Sequence, residues 1–193
     1  MTHKKDDTFY PKSQTEWRAW LEENHVSQPS VWLIFYKKSS PKPSILWSDA
    51  VDEALCFGWI DSKKQTIDKD SYRQFFSRRK PNSTWSKINK EKVKTFIANG
   101  QMTPAGLKSI AIAKENGSWS ILDSVEALIV PDNLEHEFSK HAGAKEYYQS
   151  LNKSHKKQVL YWIVAAKREE TRMKRISEIA HLAGQNKRPK HII

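Results

Sequence analysis

The sequence predicts an α+β protein: a small antiparallel sheet of about three strands with N-terminal helices, followed by a helical C-terminal half. Two observations carry this. Aromatic and β-branched runs at 31–38, 59–67 and 71–79 read as strands, the last two joined by the turn-forming triplet Asp68-Lys69-Asp70. Before and after them, apolar residues recur at i, i+3 and i+4 behind recognisable caps. Fold regions follow as an α+β core over 1–119, a helical region over 120–184 packed on it, and a disordered basic tail over 185–193.

Each element has a local cause. Ser13 with Glu16 forms a capping box, and Trp17, Trp20 and Leu21 give a helix to about His25. After Gln28-Pro29, residues 31–38 are a strand, and Pro41 and Pro43 mark a loop. Ser48 is read as the cap of a helix whose early acids, Asp49, Asp52 and Glu53, suit its dipole, with Gly58 as its stop. From Ser83, read as a cap, Trp85, Ile88, Val93, Phe96 and Ile97 form a stripe ending at Asn99-Gly100. Thr103-Pro104 starts the next helix, with Leu107, Ile110 and Ala111 inside and Gly106 as a point of close approach. Pro131 opens a short helix to about Ser139, and Ala144 to Leu151 makes another. Ser154 precedes a helix bearing Val159, Trp162, Ile163 and Ala166. Ile176, Ile179, Ala180 and Ala183 complete the last one, stopped by Gly184. The tryptophans at 17, 20, 32, 47, 119 and 162 fall at apolar-face positions and read as core.

Charge is uneven. The chain has 193 residues and a formal net charge of +11. Residues 62–94 hold 11 Lys/Arg against 3 Asp/Glu, and residues 153–193 hold the same numbers. Two basic segments on a slightly acidic body attract an anionic partner: nucleic acid, an acidic protein surface or a small anion. One cysteine, Cys56, excludes an intrachain disulfide and fits a reducing compartment. The N-terminal stretch has no apolar signal region and no run suits a membrane span, so a cytoplasmic protein is expected. Composition leaves the oligomeric state open.

Familiar chemical motifs are missing. His136 and His141 in HEFSKH stand i, i+5, about 140° apart on a helix, so they do not share a metal. The six glycines form neither a P-loop nor a dinucleotide fingerprint, and no nucleophile elbow occurs. No cofactor and no catalytic residue is assigned. What remains is a polar constellation in the basic, aromatic-rich stretch 57–89: Asp61, Arg73, Arg78, Lys80, Ser83, Ser86 and Asn89. The helix amides near Ser83 with Arg78 and Lys80 suit an anion. A second cluster is Lys167, Glu170, Arg172 and Arg175, where Glu170 pairs with Lys174 at i, i+4.

The blocks EALCFGWIDS (53–62), FFSRRKPNSTWSKIN (75–89), GQMTPAGLKSIAIAKENGSW (100–119) and YWIVAAKREETRMKRI (161–176) resemble the YdeI/OmpD-associated, bacteriocin-protection family. The resemblance implies a role in tolerance to antimicrobial peptides or similar stress, and a link to an outer-membrane porin. It implies no reaction and no cofactor. The expected function is a stress-protection protein that binds an anionic partner through a basic, aromatic-rich surface. The alternatives are a small acidic-ligand-binding protein or enzyme with a pocket at 61–89, and a protein-interaction factor linked to a porin.

Overall fold

A computed structural model describes residues 7–190 and 192. The chain divides into two compact units, 1–119 and 120–193. In unit 1 the elements run β1 (Thr8–Phe9), α1 (Gln14–Asn24), β2 (Ser30–Tyr36), α2 (Trp47–Cys56), β3 (Trp59–Thr66), β4 (Ser71–Arg78), α3 (Lys87–Ala98) and α4 (Pro104–Glu115). Unit 2 contains α5 (Asp123–Glu126), α6 (Asp132–Phe138), α7 (Ala144–Ser150), α8 (Lys153–Val164) and α9 (Glu169–Ala183). The α+β class with a helical C-terminal half therefore holds. Among the described residues no helix is long and apolar enough to cross a membrane.

The sheet has four strands in the order β1-β2-β4-β3. The hairpin β3–β4 and the pair β2–β4 are antiparallel, as the sequence suggests. The short β1 adds a strand parallel to β2, with Thr8 beside Trp32 and Phe9 beside Leu33. Two residues show no alternation, so this strand was not visible in the sequence. The turn between β3 and β4 is fixed by Asp68, whose Oδ1 accepts the backbone N–H groups of Asp70 (2.8 Å) and Ser71 (2.7 Å). These bonds favour the ionised form and hold the Asp68 carboxyl below its ordinary range.

Strand alternation sorts the sheet into two faces. Val31, Leu33 and Phe35 of β2 pair with Phe76, Gln74 and Tyr72 of β4. Most of these join a core with Trp17, Leu21, Ala50, Ala54, Leu55 and Trp59. The opposite face carries Trp32 beside Phe75 and Ile34 beside Arg73. In unit 2, Leu134, Phe138, Tyr148, Leu160, Ile163, Ile176 and Ile179 form a separate core in which α9 meets α6, α7 and α8. Ile192, read from the sequence as part of a disordered tail, lies in that core at 4% exposure.

The caps both match and correct the expectations. Ser13 Oγ accepts Glu16 N (3.2 Å), while the Glu16 carboxylate reaches past Ser13 to accept Lys12 N (2.8 Å). Ser48 is not a cap: α2 starts after Leu46, and the Ser48 hydroxyl donates to Asp49 (3.1 Å). Ser83 is not a cap either, because its N–H closes a turn onto Lys80 O (2.9 Å). Ser86 caps α3 by accepting Asn89 N (3.2 Å), which lets Trp85 enter the core before the helix begins. Asn152 caps α8. Ile88 (66% exposed) and Leu107 (44%) face solvent, and the buried stripe of α4 is instead Gly106, Ile110 and Ala113.

The corner at Cys56–Gly58 joins α2, β3, β4 and α4. Cys56 O accepts both the N–H (3.1 Å) and the hydroxyl (2.8 Å) of Thr103, the cap of α4. A Cβ on Gly106 would stand 2.2 Å from that same oxygen. Gly58 turns the chain with φ +72°, and its carbonyl accepts Arg79 N (2.9 Å). Gly106→Ala is expected to lower stability by about 2 kcal/mol through this overpacking. A lower urea midpoint at unchanged slope would show it, and an unchanged midpoint would mean that the contact relaxes freely.

Candidate functional site

The structure divides the sequence-derived constellation instead of gathering it. Asp61 lies on the helix-covered side of the sheet, paired with Phe76. Arg73 points to the other face, where its guanidinium lies 4.3 Å from the Trp32 ring and its Nε donates to Gln65 (2.9 Å). Arg78 is exposed at the end of β4 and donates to Val26 O (3.4 Å). Lys80 and Ser83 sit in the turn that follows, and Ser86 and Asn89 satisfy each other at the start of α3. The anion site expected at Ser83 thus lacks its helix N-terminus there.

The second cluster is a helix surface with one staple. Glu170 pairs with Lys174 (2.7 Å) and Arg172 with Glu169 (3.5 Å), while Lys167 is exposed before α9. Arg175 donates to Trp162 O (2.6 Å) with its guanidinium 5.2 Å from the Trp162 ring, tying α9 to the end of α8.

Chemistry converges elsewhere, on Asp61. The register of β3 slips between Asp61 and Lys64, which pair with Phe76 and Gln74. Residues three apart on a regular strand point to opposite faces, but the extra residue returns Lys64 to the face of Asp61. Asp61 Oδ2 accepts two donors, Trp47 Nε1 (3.0 Å) from α2 and Gln74 Nε2 (2.9 Å) from β4. Gln74 Nε2 also donates to Ser62 O (3.0 Å). The Lys64 ammonium lies 4.1 Å from the centre of the Tyr72 ring, which itself stacks on Phe35 at 5.1 Å and 8°. Trp47, Lys64, Tyr72 and Gln74 line a cavity of about 390 Å³, within the usual range for a small ligand.

This pocket offers aromatic walls, one cation and an amide. Trp47 is 49% exposed, although its apolar-face position put it with the core in the sequence. Burial pushes the Tyr72 phenol above its ordinary value, so it stays protonated at neutral pH. Only Asp61 of the sequence-derived site belongs here. Trp47, Lys64, Tyr72 and Gln74 were missed as a group because the slip in register is not written in the spacing.

Other candidates are already engaged. Arg79 stacks 3.7 Å from the Trp85 ring, donates to Thr84 O (3.2 Å), and is pushed down to about 10 by burial. Glu53 is buried with Gln14 (2.7 Å) on one oxygen and Arg18 (2.8 Å) on the other. A larger cavity in unit 2, about 690 Å³, has Lys187, Arg188 and Lys190 beside Glu178, but Arg188 is already bonded to His155. Among the described residues no group of three or more His, Cys, Asp or Glu is placed to hold a metal.

With this geometry established, two family comparisons apply. Residues 9–109, just over half of the chain, match a family described as a domain of unknown function, DUF8412. The chain belongs to that family. The pocket therefore lies wholly within the DUF8412 segment. Residues 127–186 match a second family, Bacteriocin-protection, YdeI or OmpD-Associated, which is the family the sequence blocks resemble. Of those blocks, 161–176 falls inside this match, and 53–62, 75–89 and 100–119 fall outside it. No curated protein and no solved structure matches the chain.

Cys56 is excluded as a nucleophile by its surroundings. It is buried, and burial pushes its thiol up to about 11. A thiol reagent at pH 8 should leave the native protein unmodified and react fully once urea unfolds it; rapid native labelling would contradict this burial. The raised value has a stability sign as well. The unfolded chain releases this proton near 9.0 and the native one near 11, so the thiol's contribution is complete below pH 9 and is lost as pH rises to about 11.

Proposed function

We propose that this chain is a stress-protection protein of the bacteriocin-protection kind that acts by binding a small planar anion in the pocket of unit 1. One observation carries the binding reading: a lysine ammonium stands at an aromatic-walled cavity whose amide and indole are both held in place by Asp61. Cation and ring together suit an aromatic acid, with Lys64 meeting the acid group and Trp47 and Tyr72 meeting the ring. The match over 127–186 supports the protective role. The lone buried cysteine supports a reducing, cytoplasmic location. No reaction is assigned, because Asp61 already accepts two hydrogen bonds and Tyr72 stays protonated.

A small anion fits better than nucleic acid. Two arginines that could contact phosphates are engaged: Arg73 lies over Trp32 and Arg79 over Trp85. Their partner rings are buried and offer no stacking platform.

Calorimetric titration with 2-naphthoate tests the reading. Binding should stabilise the native state by about 2.7 kcal/mol at one hundred times Kd. Lys64→Gln should weaken it about tenfold, and Arg73→Gln, on the other face, should leave it unchanged. Absence of binding at millimolar concentration to folded protein would overturn the reading, as would an equal loss in both variants.

A further inference from the structure

The hydrogen bonds around Asp61 define more of the ligand than its ring and charge. Gln74 is only 5% exposed, so its amide orientation is set by its neighbours and not by solvent. Both partners of its Nε2, the Asp61 carboxylate and the Ser62 carbonyl, are acceptors without protons to give. The opposite amide orientation would set oxygen against two oxygens, so the NH2 end must face them. Both of its hydrogens are then taken. Its Oε1 is left to the cavity that Gln74 lines, and no described donor bonds to it.

The indole is constrained in the same way. Trp47 Nε1 donates to Asp61, so its N–H is unavailable to a ligand and only its ring is. Asp61, which is not among the lining residues, thus positions two that are, Trp47 and Gln74.

Resting on the pocket reading above, we infer that Gln74 Oε1 is the specificity-determining acceptor of this site, and that its ligand is a planar aromatic acid bearing a hydroxyl or amino donor. The acid meets Lys64, the ring meets Trp47, and the donor meets Gln74 Oε1. An acceptor that loses its solvent to a ligand without a donor is left unpaired, so such ligands are rejected.

Matched probes separate this inference from the reading beneath it. Calorimetry with 6-hydroxy-2-naphthoate, 6-methoxy-2-naphthoate and 2-naphthoate, together with 3- and 4-hydroxybenzoate against their methoxy forms to vary the donor position, compares ligands with and without a donor. In the wild-type protein at least one hydroxy acid should bind about tenfold tighter than its methoxy counterpart. Gln74→Leu should erase that ratio while 2-naphthoate still binds. Asp61→Ala should shrink the ratio by releasing the amide, an effect that a merely structural role would not produce. Equal wild-type affinities within every hydroxy–methoxy pair would overturn the inference and leave the pocket reading standing. Failure of all the probes to bind would overturn the pocket reading and this inference with it. The wild-type comparison decides the matter even where a variant does not fold.

Discussion

The Cys56 carbonyl is the contact on which unit 1 depends. One oxygen receives both hydrogen bonds from Thr103, and the missing side chain of Gly106 lets α4 come down onto it. Two residues later Gly58 reverses the chain into β3, and its own carbonyl anchors the end of β4. The end of α2, the start of β3, the end of β4 and the start of α4 are thereby fixed at one point. The far end of α2 carries Trp47, and β3 carries Asp61. Their 3.0 Å hydrogen bond is possible because the corner sets the direction of the helix against the strand. The pocket is downstream of a packing contact that touches none of its residues.

Some of the basic residues have an internal role. Four arginines are laid against aromatic rings: Arg73 on Trp32, Arg79 on Trp85, Arg175 on Trp162 and Arg18 on Phe57. A guanidinium is planar and weakly hydrated, so it covers a ring at lower desolvation cost than an ammonium. Composition alone presents these groups as an electrostatic surface, whereas the fold uses several as lids over tryptophan. Lys64 differs because the ring beneath it, Tyr72, belongs to the wall of a cavity. A cation over a buried ring is packing; a cation over a cavity wall remains available to an incoming anion.

What the sequence disclosed was local, and what it concealed was relational. The Ser13 cap, the Thr103-Pro104 start, the Asp68 turn and the close approach at Gly106 each depend on residues within a few positions or on a single missing side chain, and each was readable. Choosing between Ser83 and Ser86 needed the knowledge that Trp85 must enter the core first. Ile88 and Leu107 obeyed helical spacing yet face outward, because spacing gives a stripe but not the direction of the core. Strand β1 is too short to alternate and exists only through its partner 24 residues away. The slip between Asp61 and Lys64 was the most consequential omission: SKKQ reads as ordinary strand, and the strand opposite dictates the extra residue. Asp61 was therefore recognised without the company that gives it meaning.

That slip has a consequence outside the pocket. β3 is an edge strand in the described sheet, and an open edge is a template on which a second chain can polymerise. Flat, regular edges aggregate; kinked edges bearing lysines do not, because an incoming strand loses register and must desolvate charge. β3 has both protections in one place, a displaced register and the pair Lys63-Lys64. The irregularity that brings Lys64 round to Tyr72 thus also terminates the sheet, and straightening it would leave a regular edge on which fibres could seed.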